Sequence, residues 1–197
     1  MDGDTRETIR AVALELFSTK GFEQTSLREI AERVGLTKAS LYYHYPSKQA
    51  LLLAVVEPVI TGWRDIAADA ESLAHTPETV REVVSRCLDV LLRNRAVAGV
   101  FQRDPAGVAV VAKSLWEDSL TLGRQLVTWL AGPEAGPVAQ LRAVAAMEVL
   151  GAVLTSDTYH PDAEFTDEDM RAVLLQAAVD VLRLPGEPVK SEMRSAG

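Results

Sequence analysis

The sequence has little of what disulfide-stapled, metal-dependent or catalytic proteins rely on. Its single cysteine, Cys87, excludes an internal disulfide and is read as a small buried apolar residue. Three scattered histidines, His44, His75 and His160, offer no metal-ligand spacing, and no cofactor is expected. No GxSxG, GxGxxG, Walker-type loop or HExxH occurs and no acid/base pair stands out, which argues against an enzyme. No apolar run reaches the roughly 18 residues of a membrane span, and the acidic opening MDGDTRET lacks the basic and apolar regions of a signal peptide. A cytoplasmic protein without membrane contact is the expectation. Strand alternation bounded by hairpin turns is missing as well, so the expected fold class is all-α. Positive charge is scarce: 20 Lys and Arg face 28 Asp and Glu, a net charge of −8.

What is present is apolar content at helical spacing, 48% of the 197 residues, ample for a packed core. The most informative stretch is SLREIAERVGLTKASLYYHYPSK, residues 26–48. Leu27, Ile30, Ala31 and Val34 fall at i, i+3, i+4 and i+7, one side of a two-turn helix that must be buried. Gly35 follows, where a helix ends cheaply in a left-handed conformation, and the Thr37 hydroxyl then caps a second helix. Ser26 and Glu29 form a capping box on the first helix. Ala31 is small enough for the two helices to approach, while Leu36, Leu41 and Tyr45 close the core beneath. Two short helices meeting at a tight turn make a helix-turn-helix. The second helix carries Lys38, Ala39 and Ser40 in its first turn, where a major-groove recognition helix meets base edges, and then Tyr42, Tyr43 and His44. Arg28 and Lys48 bracket the unit with positive charge.

The net charge is compatible with nucleic acid once it is divided along the chain. Residues 1–50 hold seven basic and seven acidic side chains, and the remainder, thirteen against twenty-one, carries the whole −8. Between Ser26 and Lys48 four basic residues stand against two acidic ones. The Debye length of about 8 Å at physiological salt screens the distant acidic body from a bound phosphate.

From Thr25 to Lys48 and on through Gln49–Leu52 the chain resembles the DNA-binding domain of TetR-type (tetracycline-repressor-like) transcriptional regulators. Leu41-Tyr42-Tyr43-His44-Tyr45 closing the recognition helix and Ser47-Lys48 opening the next carry the likeness. The family more often has Phe where Tyr45 stands and Glu where Gln49 stands. The resemblance implies double-stranded DNA as partner and Thr25, Ser26, Arg28, Thr37, Lys38, Ala39, Ser40, Tyr42, Tyr43, His44 and Lys48 as DNA-facing candidates. Lys38, the long polar side chain of the first turn, is the best candidate for a guanine edge.

The expected organisation is a three-helix DNA-binding domain over residues 1–50, with the helix-turn-helix at about 26–45, a larger effector-binding and dimerisation domain over 51–184, and a disordered tail over 185–197, about nine helices in all. A first helix from about Thr5 to Lys20 repeats Ile9, Val12, Ala13, Leu16 and Phe17 and stops at Gly21. A fourth, capped by Ser47, joins reader to body, and Pro58 and Gly62 are expected to interrupt or kink it before Trp63. Further helices are read from Pro77 to about Leu92, over a shorter segment Ala96–Phe101, from about Ala106 through Trp116 to Leu130, over Val138–Leu154, and from about Glu168 to Leu184. The last two are apolar on more than one side, which fits a four-helix bundle across a twofold axis or double burial within one subunit. The resemblance favours a homodimer through this pair.

A body of that size invites a small-molecule effector. Trp63, Phe101, Trp116 and Trp129, with Cys87 and Met147, are the pocket candidates, although an ordinary core position suits each aromatic individually better than a pocket lining. The resemblance implies a regulator, most commonly a repressor, released from a palindromic operator when the ligand shifts the fourth helix. A helix-turn-helix regulator or architectural DNA-binding protein without an effector is the alternative.

Overall fold

Hydroxyl side chains start four of the helices. Ser26, Thr37, Ser47 and Thr76 each adopt extended backbone angles and accept the N–H three residues ahead. Such a cap contributes about 0.5–2 kcal/mol. Two of the stops are glycines: Gly21 (φ 97°) and Gly35 (φ 77°) sit in the left-handed region that side chains avoid. The computed structural model describes residues 2–104, 120–155 and 165–182.

Among the described residues all regular structure is helical. In order these are α1 (Asp2–Lys20), α2 (Leu27–Val34), α3 (Lys38–His44), α4 (Lys48–Ala70), α5 (Pro77–Arg93), α6 (Ala96–Arg103), α7 (helical over 120–131), α8 (Pro137–Gly151) with a 3₁₀ turn at Ala152–Leu154, and α9 (Asp167–Leu182). Residues 105–119, 156–164 and 183–197 lie outside the described residues, and with them the expectations for Trp116, for an acidic loop and for a disordered tail.

The N-terminal head is a small core of α1, α2, α3 and the start of α4. Ile9, Ala13, Phe17, Ile30 and Leu41 are sealed from solvent, and Phe17 meets Phe22 edge-on with ring centroids 5.3 Å apart. The body is built around α5, whose Val80, Val83, Val84, Cys87 and Leu88 are fully buried against α4, α8 and α9. Helix α1 packs on α2 and α4 within the head and on α6 of the body.

Two expectations are corrected. Helix α4 runs unbroken through Pro58 and Gly62. Ile60, Ile66 and Ala67 stay buried along it, so packing holds the segment helical past the missing proline N–H. Gly62 has a different purpose: a Cβ there would stand 2.7 Å from Val90 Cγ2, so glycine lets α4 and α5 approach. The residue 50 boundary therefore falls inside a continuous helix shared by head and body. The second correction concerns α8. Pro137–Leu154 is 18 residues with mean hydropathy 1.4, long and apolar enough by composition to cross a membrane. It nevertheless carries Arg142 and Glu148, and buries Ala143, Ala146, Leu150 and Val153 against the body.

Candidate nucleic-acid interface

Helix α3 turns one side inward and the other out. Leu41 is fully buried and Tyr45 nearly so, whereas Lys38, Ala39, Tyr42 and Tyr43 face solvent, Tyr43 with 79% of its surface exposed. Burial of the one side fixes the angle at which the other is shown. Thr37 holds the first turn by accepting the Ser40 N–H at 3.1 Å, and its hydroxyl lies 2.8 Å from that of Ser40. His44 is half-buried, its ring edge-on to Tyr43 at 5.3 Å.

Most charges of the head are neutralised locally. Lys20 binds both carboxylate oxygens of Glu29 at 2.8 and 2.9 Å, Arg33 pairs with Glu15, and Arg28 Nε donates to Glu32 at 2.7 Å. The hydrogen bond from Lys20 is the main reason the Glu29 carboxyl titrates below its usual range, with the Ser26 backbone assisting. The Glu32 partner raises Arg28 above its ordinary value. Lys38 differs: among the described residues no carboxylate pairs with it, and its ammonium lies 5.6 Å from the Tyr42 ring centroid. It presents an unneutralised cation, steadied by an aromatic face, at the start of the outward helix.

Not every candidate faces outward. Thr25 is 1% exposed and donates its hydroxyl to the Gly21 carbonyl at 2.8 Å, a contact internal to the α1–α2 turn. Lys48 Nζ donates to the carbonyls of Phe22, Glu23 and Thr25 at 2.8, 3.2 and 3.1 Å and stands 4.4 Å from the Phe22 ring centroid. Its three donors are thereby used within the fold. A cation at a helix N-terminus opposes the helix dipole, and that misfit in the sequence is the sign that Lys48 needs carbonyl partners. Arg6 is absent from the sequence-based candidates. It is exposed, lies 5.0 Å over the Tyr45 ring, and its carbonyl accepts from the Tyr45 hydroxyl at 3.3 Å, which sets a cation beside the end of α3. A contact across 39 residues leaves no trace in local spacing.

The described pocket candidates occupy different settings. Cys87 is wholly buried, and burial pushes its thiol up to about 12. Trp63 is half-buried with its indole N–H buried and unpaired, Met147 packs at the edge of the core, and the Phe101 side chain is outside the description. One cavity of about 340 Å³ between α4 and α7 is lined by Ala67, Ala70, Glu71, Arg124, Leu126 and Trp129 among others. A second, of about 690 Å³, lies around His75, Leu130, Gly132, Val138, Arg142 and Leu182. Among the described candidates Trp129 alone lines one of these two cavities, the smaller, and it meets His75 edge-on at 5.2 Å.

Two capped helices, α2 and α3, joined by a turn at Gly35, with α3 burying Leu41 and showing its other side to solvent, define a helix-turn-helix protein. Residues 9–55 match the family described as bacterial regulatory proteins, tetR family. Over that stretch, the head of the molecule, the chain is similar to the DNA-binding domain of that family. It is 41% identical over 58 residues to the HTH-type transcriptional regulator RutR of Escherichia coli K12, covering 29% of this chain and 27% of that protein. It is also 41% identical over 56 residues to the tetracycline repressor protein class C of Escherichia coli, 28% and 26% of the two lengths. The aligned stretch thus spans about a quarter of these relatives, and it coincides with the head. Across the whole fold the chain is similar to PfmR of Thermus thermophilus, a TetR family transcriptional regulator, at TM-score 0.69 and 21% identity, over 91% of this chain and 99% of that one. A TerR/AcrR family regulator of Aquifex aeolicus superposes at 0.68 with 22% identity, over 88% and 96%.

Proposed function

We propose that the protein is a one-component DNA-binding transcriptional regulator, a repressor released from a palindromic operator by a small molecule. The observation that carries the reading is the outer side of α3, where Lys38, Ala39, Tyr42 and Tyr43 are exposed on a helix fixed by the burial of Leu41 and Tyr45. Base contacts come from Lys38, Ser40, Tyr42, Tyr43 and the Ala39 methyl. Ser26, Arg28, Thr37, His44 and Arg6 supply phosphate contacts, with Arg28 exchanging Glu32 for a phosphate.

The working form is a homodimer through α8 and α9. These helices pack on each other and still expose Val138 (67%), Leu141 (68%) and Val173 (65%), apolar surface that pairing with a second copy removes from water. A twofold dimer sets two α3 helices in successive major grooves about 34–36 Å apart. The effector occupies the helical body, where the cavity beside Trp129 is one place for it, and acts by favouring a conformation with different head spacing. The tetracycline repressor's name attaches a ligand to that protein; the ligand of this chain has its own chemistry.

Selection of bound duplexes from a random pool tests the reading. The expected product is a palindrome with half-sites one helical turn apart. Lys38→Ala is then expected to weaken binding by about 1–3 kcal/mol and to relax preference at one base per half-site. A monomer that retains no duplex in low salt refutes the proposal. Compounds that raise thermal stability and lower operator affinity identify the effector; a screen in which stabilising compounds leave operator binding untouched favours the effector-free regulator.

A further inference from the structure

Helix α6 is only eight residues long, yet polar contacts tie it to three separate parts of the molecule. At its start, Arg95 Nη1 pairs with Asp167 Oδ1 at 3.1 Å, at the first residue of α9. Near its end, Gln102 Nε2 donates to the Leu154 carbonyl, which closes the 3₁₀ turn after α8. The two residues that finish it reach the head: Arg103 Nε donates to the Thr19 carbonyl at 2.9 Å, and Asp104 Oδ2 accepts the Glu23 N–H at 2.7 Å. Between these ends Gly99 lies against α1, where a Cβ would stand 3.0 Å from Ser18 Cβ.

The receiving element in the head is the α1–α2 turn. Lys48 grips it from α4 through the carbonyls of Phe22, Glu23 and Thr25, and Asp104 grips it from α6 through the Glu23 N–H. Cation on carbonyls and carboxylate on amide leave the turn held from two elements by directional bonds. Apolar surfaces can slide over one another; a short carboxylate–amide hydrogen bond fixes an angle. Ser26, the cap of α2, follows this turn directly, so its attitude sets that of α2 and hence α3.

We infer that α6 is a strut that carries the arrangement of α8 and α9 to the reading head, and that Asp104 is the positioning residue at its joint. The inference rests on the DNA-binding reading for its consequence, the spacing between two heads, but the strut itself is testable without DNA. Hydrogen exchange of full-length protein, read by mass spectrometry over peptides covering the 20–27 turn, is compared for wild type, Asp104→Ala and Arg95→Ala. Asp104→Ala is expected to speed exchange at the Glu23 amide by about tenfold. Arg95→Ala, altered at the opposite end of α6, is expected to speed it severalfold, which no local role of Arg95 at α9 would do. Exchange at Glu23 that ignores Arg95→Ala overturns the strut.

The second arm uses the selected operator with its central spacer lengthened or shortened by one base pair. Wild type is expected to prefer the native spacer by about tenfold or more, because each base pair turns one half-site against the other. Asp104→Ala is expected to lose most of that ratio, while Asp104→Asn, which retains an acceptor oxygen, keeps most of it. An unchanged ratio in Asp104→Ala overturns the positioning role. A wild-type chain that holds no duplex at all overturns the regulatory reading instead, and the exchange arm then decides the strut alone.

Discussion

Replacing Gly62 with alanine asks how closely the linking helix lies on the body. In an open helix the change stabilises by about 1 kcal/mol, because glycine loses more backbone freedom than alanine. Here the new methyl would stand 2.7 and 3.1 Å from the two methyl carbons of Val90, a β-branched side chain that is 4% exposed and stiff at χ1 in a helix. Overpacking of this kind costs about 1–3 kcal/mol, so the net effect is a loss of about 0–2 kcal/mol. Val90→Ala alone removes about two methylenes' worth of buried surface and costs about 2 kcal/mol. In the double variant the clash is gone and the new methyl fills part of the gap, so the total falls to about 1 kcal/mol, a coupling of about 1–3 kcal/mol. Urea unfolding at fixed protein concentration, with an unchanged slope, measures the cycle. Gly151, with nothing within 4 Å of its would-be Cβ, is the control, and Gly151→Ala should stabilise by up to about 1 kcal/mol. If Gly62→Ala stabilised as much as the control, or added independently to Val90→Ala, the close approach of α4 and α5 would be refuted.

The two lysines of the head separate cleanly. Lys48→Ala should lower thermal stability by several degrees through three lost carbonyl contacts. Its slope of log affinity against log salt should stay put, and a fall of about one would return Lys48 to the phosphates. Lys38→Ala should leave the melting point alone and act on duplex affinity. Cys87 should resist thiol reagents until the protein unfolds, since burial holds its pKa near 12. Because its ordinary value of 9.0 is raised on folding, the unfolded thiol ionises first: stability is intact below that value and falls as pH rises above it, by about 1.4 kcal/mol at about pH 10. Wild type should show this slope and Cys87→Ala should not. Trp63→Phe, which deletes a buried unpaired N–H, should change stability by less than about 1 kcal/mol, because the lost ring area is offset by the donor that no longer goes unsatisfied.

The helix-turn-helix is legible because its signals are local. Ser26 and Thr37 cap, Gly35 stops, and Leu27, Ile30, Ala31 and Leu41 repeat at helical spacing, and each of these is settled within one or two turns of chain. The same local rules misread α4. Pro58 and Gly62 weaken a helix in isolation, but burial of Ile60, Ile66 and Ala67 against the rest of the fold holds that segment helical. Motif position points Thr25 and Lys48 at DNA, yet their side chains are directed by carbonyls that only the folded α1–α2 turn brings within reach. The joint between Glu23 and Asp104 spans 81 residues and has no spacing pattern to betray it.

On the DNA-binding reading proposed above, the self-paired charges of the head bear on how the protein would find its site. With Lys20, Arg28 and Arg33 each engaged by a carboxylate of the same domain, few counterions are displaced when the head brushes random duplex. Brief encounters shorten one-dimensional sliding and return the molecule quickly to three-dimensional search. Fewer copies are then sequestered along the bulk of the chromosome, so a small pool of protein can keep an operator occupied.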